Sequence, residues 1–151
     1  MQTESSMSST RFQNGCSISS DRTLVNWERV HGWLASSYWS PGITLERVKR
    51  AAENSALVVG AYKGPEQSGF MRVVSDKTRF AYICDVWVDE SHRGQGIARS
   101  MVQFALDDPE LATCKWLLAT VDAHGVYAKL GFAPLAKPEL FLSKGLFCEP
   151  I

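Results

Sequence analysis

The sequence has no net charge, no long apolar run and few cysteines, and each of these absences excludes a class of protein. Among its 151 residues, Lys plus Arg and Asp plus Glu number 16 each, so we expect no overall attraction to nucleic acid or to an anionic membrane. The apolar stretches are short and interrupted by charges, so no segment is predicted to span a bilayer. The first fifteen residues lack the apolar run of a secretory signal, and we therefore expect a cytoplasmic protein.

The cysteines are far apart in the chain and form no C-x-x-C pair (Cys16, Cys84, Cys114 and Cys148). This spacing predicts neither a disulfide framework nor a metal site. What the sequence does contain is apolar, with 45% hydrophobic and only 21% charged residues, which is typical of one packed globular domain. Residues 1–14 are rich in Ser, Thr and Gln. We expect them to form a flexible N-terminal tail, followed by a single domain over residues 15–151.

The periodicity of the apolar residues predicts an α/β domain. Helices are expected at 24–35, from Thr44 onward, at 97–106 and at 123–130. Strands are expected at 16–19, 56–62, 68–74, 80–88 and 116–119, with a further strand pair at the C-terminus. Antiparallel strands therefore come first, and the second half alternates strand and helix. That order favours a mixed, mostly antiparallel sheet with one parallel strand pair and flanking helices.

The turn after the strand that ends near Val88 has the properties of an anion site. A helix is predicted to begin just beyond Gly94 and Gly96. The backbone N–H groups at a helix start have no partners within the helix and lie at the positive end of its dipole. Glycine allows the main chain to approach a phosphate closely, and Arg93 and Arg99 can add charge-assisted hydrogen bonds.

Two common nucleotide motifs do not match this turn. A P-loop requires Lys and then Ser or Thr after its second glycine, where this chain has Ile97 and Ala98. A dinucleotide fingerprint requires a third small residue where Arg99 stands, together with an acidic residue about twenty positions later, and the chain has neither. A nicotinamide oxidoreductase is therefore disfavoured.

Arg93, Gly96 and Ala98 follow a strand that ends Val-x-Val, and this pattern resembles the acetyl-CoA motif of the GNAT superfamily of N-acetyltransferases. A second stretch downstream, from Tyr127 to Phe132, is similar to that family's Tyr-x-Lys-x-Gly-Phe signature on its last helix. The two motifs occur in the family's order and at its spacing. The resemblance covers roughly residues 16–148, and it implies the GNAT fold and an acyltransferase that uses acetyl-CoA and releases CoA.

The resemblance also implies where the cofactor binds. The pyrophosphate is expected on the amides of the turn, and the pantetheine arm on the strand before it. Thr120 stands where the family often has an asparagine that holds the pantetheine arm. The residues expected to contact the cofactor are Val86, Trp87, Val88, Arg93, Gly94, Gln95, Gly96, Ile97, Ala98, Arg99 and Thr120. The amide near Val86 is expected to contact the reacting carbonyl oxygen.

Tyr127 matches the tyrosine that many GNAT members use as general acid toward the departing thiolate. Asp85 is the best candidate for the base, because a carboxylate within an apolar strand must be paired, face a cleft or cost several kcal/mol. A buried aspartate that holds a neighbouring backbone segment in place is an equal alternative. Tyr38 and Trp39 lie in a polar connector, near the expected acceptor, where exposed aromatic rings often bind ligands.

The sequence therefore predicts transfer of an acetyl group from acetyl-CoA to the amine of a small molecule, by direct attack in a ternary complex. The alternatives are a protein acetyltransferase, acting on lysine or an N-terminus, and a non-catalytic acyl-CoA-binding module. No nucleic acid or membrane partner is expected. The sequence is compatible with a homodimer, and it does not identify the acceptor.

Overall fold

The centre of the fold is one six-stranded sheet, in which sequential strands are also spatial neighbours. The computed structural model describes residues 8–13 and 15–146. The remaining positions, Cys148 among them, lie outside the described residues. The strands are β1 (Thr10–Gln13), β2 (Cys16–Ser19), β3 (Leu57–Lys63), β4 (Glu66–Ser75), β5 (Phe80–Val88) and β6 (Lys115–Leu118). Neighbouring strands are antiparallel except for β5 and β6, which run parallel.

Four α-helices in the described part of the chain pack on the sheet, and local capping accounts for the start of the first two. The helices are α1 (Trp27–Ala35), α2 (Leu45–Glu53), α3 (Ile97–Leu106) and α4 (His124–Ala128). Asn26 caps α1 by accepting a hydrogen bond from the Arg29 amide, and Thr44 caps α2 by accepting one from the Arg47 amide. No helix in the described part of the chain has the length and apolar character needed to cross a bilayer.

The sheet buries apolar side chains on both faces because alternate residues of a strand point to opposite sides. On one face, Val59 and Ile83 pack with α3 residues such as Met101. On the other face, Val58 and Phe70 pack with Val30 and Leu34 of α1 and with α2. Burying a side chain of this size stabilises the fold by about 1.5–3 kcal/mol. The two cores therefore hold α3 on one face of the sheet and α1 and α2 on the other.

A bulge in β5 and the early end of its pairing with β6 open the sheet at one place. Phe70 of β4 lies opposite Trp87, whereas Arg72 lies opposite Cys84, so two residues of β5 occupy the space opposite one residue of β4. Asp85, in this bulge, has a φ of 57°. The pairing with β6 ends at Ile83. The second half of β5 therefore borders a gap between β5 and the chain that follows β6.

The α/β fold with a mixed sheet and one parallel strand pair is confirmed. Three details differ. The flexible tail predicted over residues 1–14 does not extend over Thr10–Gln13, because these residues form β1 and pair with β2. The helix predicted from position 24 begins at Trp27, after the cap at Asn26. The predicted terminal strand pair is absent from the described residues up to 146, where only the 3-10 turn Pro138–Leu140 forms.

Candidate functional site

Two adjacent cavities lie on the opened side of β5. The first, of about 430 Å³, borders the start of α3, and we name it the α3 cavity. Its lining residues are Val88, His92, Arg93, Gly94, Gly96, Ile97, Ala98, Arg99, Val126 and Lys129. Three of these side chains are cationic, and none of the described lining residues is acidic. The cavity is therefore suited to an anionic ligand.

The backbone of the turn before α3 requires glycine at two positions. Gly94 has a φ of 80° and Gly96 a φ of 79°, which is the left-handed region that other residues enter only with strain. Gly96 is the N-cap residue of α3, and among the described residues no side chain caps this helix. The start of α3, at the positive end of the helix dipole, therefore forms part of the wall of the α3 cavity.

The second cavity, of about 400 Å³, lies between β5 and the chain that follows β6, and we name it the β5–β6 cavity. Val88 and Ala98 line both cavities, so the two meet at these residues. The described lining residues of the β5–β6 cavity are Tyr38, Trp39, Ser40, Arg72, Tyr82, Ile83, Cys84, Asp85, Val86, Val88, Ala98, Leu118, Ala119, Thr120, Asp122, Ala123, Tyr127 and Leu146. Three phenols and one indole ring are among these side chains.

Asp85 is paired on both oxygens. Its Oδ2 accepts a hydrogen bond from Nε of Arg72 at 2.6 Å, and its Oδ1 accepts one from Nε1 of Trp39 at 2.8 Å. The side chain is only 9% exposed. Both partners are side chains, one on β4 and one in the connector after α1, and neither contact is to a neighbouring backbone segment. The place of Asp85 on the cavity wall keeps it within reach of a ligand. Its function as a base stays a prediction.

Tyr127 is buried, and its ring packs edge-on against Phe132 with ring centroids 6.1 Å apart. Its hydroxyl makes no hydrogen bond to the described residues, and it lines the β5–β6 cavity. Burial raises the pKa of the phenol, and the negative potential from Asp122 and Tyr38 raises it further. The phenol therefore keeps its proton at neutral pH and is able to donate it. The role of general acid stays a prediction.

Cys84 and Tyr82 lie in β5 beside Asp85. Burial raises the pKa of the Cys84 thiol to about 12, although Arg72 opposes that shift. The thiol is therefore neutral at physiological pH and is a poor nucleophile. Burial also raises the pKa of Tyr82. Both side chains contribute shape and neutral hydrogen-bonding groups to the cavity wall.

Most of the site residues predicted from the sequence line one of the two cavities, but Trp87 and Gln95 line neither. The centroid of the Trp87 ring lies 6.0 Å from that of Trp39, and the guanidinium of Arg93 stacks over the Trp87 ring at 5.3 Å from its centroid. Thr120 lines the β5–β6 cavity, and its hydroxyl accepts a hydrogen bond from the amide of Ala123 at 3.2 Å. This hydrogen bond stabilises the turn that precedes α4.

The wall residues that the sequence did not identify include Arg72, Asp122, Lys129 and Leu146. Lys129 lies within the Tyr-x-Lys-x-Gly-Phe motif, which was a usable signal. Arg72 reaches the site only through the register of β4 against the bulge of β5, and Leu146 only through the path of the chain after α4. Neither position carries a signal that could be read from the sequence.

The sheet opens at the end of its parallel strand pair, and a glycine-rich helix start lies beside the gap. A family model described as the acetyltransferase (GNAT) family matches residues 20–132. The chain therefore belongs to the GNAT acetyltransferase family and is an acyltransferase, as the sequence motifs predicted.

Solved structures support the same assignment. A GNAT-family protein from Xanthomonas campestris pv. campestris is 34% identical, with 87% of this chain and 93% of that chain covered and a TM-score of 0.82. A GNAT-family protein from Streptococcus pneumoniae is 24% identical over 95% of this chain and 100% of that chain (TM-score 0.65). Glucosamine-6-phosphate N-acetyltransferase from Arabidopsis thaliana is 18% identical over 93% and 99% (TM-score 0.58), which shows the shared fold alone. A search of curated sequences found no significant match.

Proposed function

We propose that this protein transfers the acetyl group of acetyl-CoA to the amine of a small molecule, by direct attack while both substrates are bound. The observation that carries the proposal is the meeting of the two cavities at Val88 and Ala98. One cavity has cationic side chains and a helix start, and the other has aromatic walls and the Tyr127 phenol. GNAT proteins generally use acetyl-CoA, and the composition of the two cavities fits this donor and a compact acceptor.

The α3 cavity fits the pyrophosphate of CoA. The amides from Gly94 to Ala98 would hold it at the positive end of α3, and Arg99 and Lys129 would balance its charge. The guanidinium of Arg93 is committed to the Trp87 ring and, through Nε, to the Val88 carbonyl at 3.0 Å. In this proposal Arg93 therefore fixes the turn after β5 and adds only its net charge to the binding of phosphate.

The second half of β5 fits the pantetheine arm, since residues 84–88 continue beyond the end of the pairing with β6. An extended ligand can accept and donate backbone hydrogen bonds along this edge, as another strand would. In the proposal, the amide near Val86 stabilises the negative charge on the thioester oxygen. Val88 and Ala98, at the junction of the cavities, would then flank the end of the arm.

Tyr127 is the proposed general acid. When bound, acetyl-CoA supplies a thioester whose sulfur must receive a proton as it leaves. Tyr127 is the side chain best suited to donate it, because its hydroxyl is protonated, has no hydrogen-bond partner among the described residues and lines the β5–β6 cavity. Asp85 is the proposed base. Each of its oxygens accepts one hydrogen bond from Trp39 or Arg72, which leaves lone pairs able to accept a proton through water.

Two measurements test this proposal. Titration calorimetry with acetyl-CoA should show one site per chain, and a thiol-trapping assay should show release of CoA that depends on an added amine. A protein that binds no acetyl-CoA, or that releases thiol at the same rate with and without every amine tested, would disprove the proposal.

A further inference from the structure

The charges on the wall of the β5–β6 cavity do not balance. Arg72 is the one cationic side chain among its described lining residues, and it is committed to Asp85 at 2.6 Å and to the Ser55 hydroxyl at 3.3 Å. The remaining charged group is Asp122, which is exposed and forms no ion pair with the described residues. The wall therefore has one carboxylate in excess and no cation available to a ligand.

The neutral part of the same wall is aromatic and apolar. Tyr38, Tyr82 and Tyr127 all contribute phenol groups, and Trp39 stands edge-on to Tyr38 with ring centroids 4.9 Å apart. Leu118 and Leu146 add aliphatic surface. Phenol and indole faces attract cations and pack well against apolar groups. Phenol oxygens beside a carboxylate also accept hydrogen bonds from an ammonium group.

We propose that the acceptor is a primary amine with a single positive charge, an aromatic or aliphatic body and no anionic group. This inference rests on the proposed function and names the substrate class of the same site. The ammonium is recognised by Asp122 and the neighbouring phenols, and the apolar body packs against the ring of Tyr38 and the side chain of Leu146.

The same charges select against two other classes of amine. A sugar phosphate or an amino acid would bring an anion into a cavity whose guanidinium is already neutralised and whose remaining charge is negative. An anion in such a place loses its hydration and gains no partner. The volume of about 400 Å³, which must also hold the acetyl end of the donor, limits the body to one ring or a short chain.

The bonds and protons of the proposed acetyl transfer balance with the groups on this cavity wall. The bound ammonium first loses a proton to water or to a carboxylate of the wall. Its nitrogen lone pair then attacks the thioester carbonyl carbon, so a C–N bond forms and the C–S bond breaks. The sulfur takes the proton of the Tyr127 hydroxyl, and the second proton that leaves the nitrogen restores that hydroxyl. The products are the acetylated amine and CoA thiol, with one proton released to solvent.

The test compares matched acceptors with the full-length protein. 2-Phenylethylamine and L-phenylalanine share a skeleton and differ by one carboxylate, while glucosamine 6-phosphate carries a phosphate on a polar body. Thiol release and product mass are measured for each acceptor, and acetyl-CoA binding is measured separately by calorimetry. We expect kcat/KM for 2-phenylethylamine to exceed that for L-phenylalanine by about 100-fold or more, with no detectable turnover of the sugar phosphate.

Variants link the selectivity to the carboxylate. Asp122→Asn should raise KM for 2-phenylethylamine by about 2- to 5-fold with a smaller change in kcat, since the ion pair of an exposed carboxylate contributes modestly to affinity. It should also narrow the preference over L-phenylalanine. Glu46→Gln removes an exposed carboxylate on α2, outside both cavities, and is the matched control. It should change neither KM for 2-phenylethylamine nor the preference for this amine over L-phenylalanine.

The outcomes separate the two proposals. If acetyl-CoA binds but the protein prefers the phosphorylated or carboxylated amine, or acetylates none of the three, the substrate class is wrong while the binding of acetyl-CoA stands. If Asp122→Asn leaves the preference unchanged, the recognition of the ammonium by Asp122 is wrong. If acetyl-CoA does not bind, the proposed function fails and this inference fails with it.

Discussion

Nε of Arg72 donates a hydrogen bond to Oδ2 of Asp85 at 2.6 Å, and this contact joins the middle of β4 to the bulge of β5. Burial by itself lowers the pKa of Arg72. The negative charges that Cys84, Asp85 and Tyr82 carry at the high pH where arginine titrates, together with the hydrogen bond to Asp85, outweigh burial and raise the pKa above the usual value. The guanidinium therefore stays charged. Because the carboxylate belongs to a residue with a positive φ, the ion pair also holds the strained part of β5 in place.

Asp85→Asn tests the ion pair and the proposed base together. Removing the charge leaves the Arg72 guanidinium buried without its partner, so we expect a loss of about 3–5 kcal/mol in the free energy of unfolding. Turnover should also fall, with partial recovery as rising pH supplies more free amine. Urea unfolding and the pH profile of kcat measure the two effects.

The double variant Arg72→Met/Asp85→Asn separates these two roles. Removing both charges should recover much of the lost stability, since no unpaired buried charge remains. Turnover should stay low if Asp85 takes the proton. Recovery of stability and turnover together would show that Asp85 only holds the backbone of β5.

Tyr127→Phe removes the proposed acid and keeps the ring. We expect kcat to fall about 10²-fold or more, the usual scale for a positioned acid. Acetyl-CoA affinity should stay nearly the same, because the proposed contacts with CoA are made by the turn before α3 and by the second half of β5. The melting temperature should not fall, since the hydroxyl has no hydrogen-bond partner among the described residues. Full activity of the Phe variant on a good acceptor would mean that water or another group protonates the sulfur.

Gly96→Val should abolish acetyl-CoA binding while leaving the protein folded. A β-branched residue resists the φ of 79° and places a side chain beside the amides that we expect to hold the pyrophosphate. Gly64→Val is the matched control, because Gly64 also has a positive φ, of 59°, but lies in the turn between β3 and β4, outside both cavities. Both variants should lose similar stability. An unchanged dissociation constant for Gly96→Val would disprove the phosphate assignment.

Tyr62→Phe should stabilise the protein. Its hydroxyl is buried and has no hydrogen-bond partner among the described residues, which costs about 1–3 kcal/mol. The ring lies over Gly60, where an added Cβ would clash with the hydroxyl oxygen. Removing the hydroxyl should raise the free energy of unfolding at pH 7 by about 1 kcal/mol, as measured by urea unfolding. A destabilised variant would mean that the hydroxyl has a stabilising partner.

The benefit of Tyr62→Phe should grow at alkaline pH. Burial, followed by the charge of Asp21, raises the pKa of Tyr62 to about 12 from its ordinary value of 10.0. Because the folded-state pKa is the higher one, this titration leaves the stability of the wild-type protein unchanged below pH 10 and lowers it as pH rises toward 12. Over that interval the difference between variant and wild type should widen by up to about 1.4 kcal/mol per pH unit.

The sequence by itself determined the order of the elements and the turn that precedes α3. β5 runs over Phe80–Val88 and α3 over Ile97–Leu106, as the apolar pattern predicted, because strand alternation, helical periodicity and capping are local properties. The glycines at 94 and 96 could also be recognised, since a positive φ beside a helix start strongly favours glycine. Even the cap at Thr44 follows from neighbouring residues alone.

Only the tertiary structure decided what those elements place together. Asp85 stands alone in the sequence, yet the register of β4 brings Arg72 to it, and the connector after α1 brings Trp39. Asp122 and Leu146 reach the same cavity from separate loops. The strand pair expected at the C-terminus did not form within the described residues, and Thr10–Gln13 joined the sheet. Strand pairing and ion pairing depend on partners that are distant in the chain. A local sequence pattern therefore does not indicate which distant residue a given strand or charged side chain will contact in the folded protein.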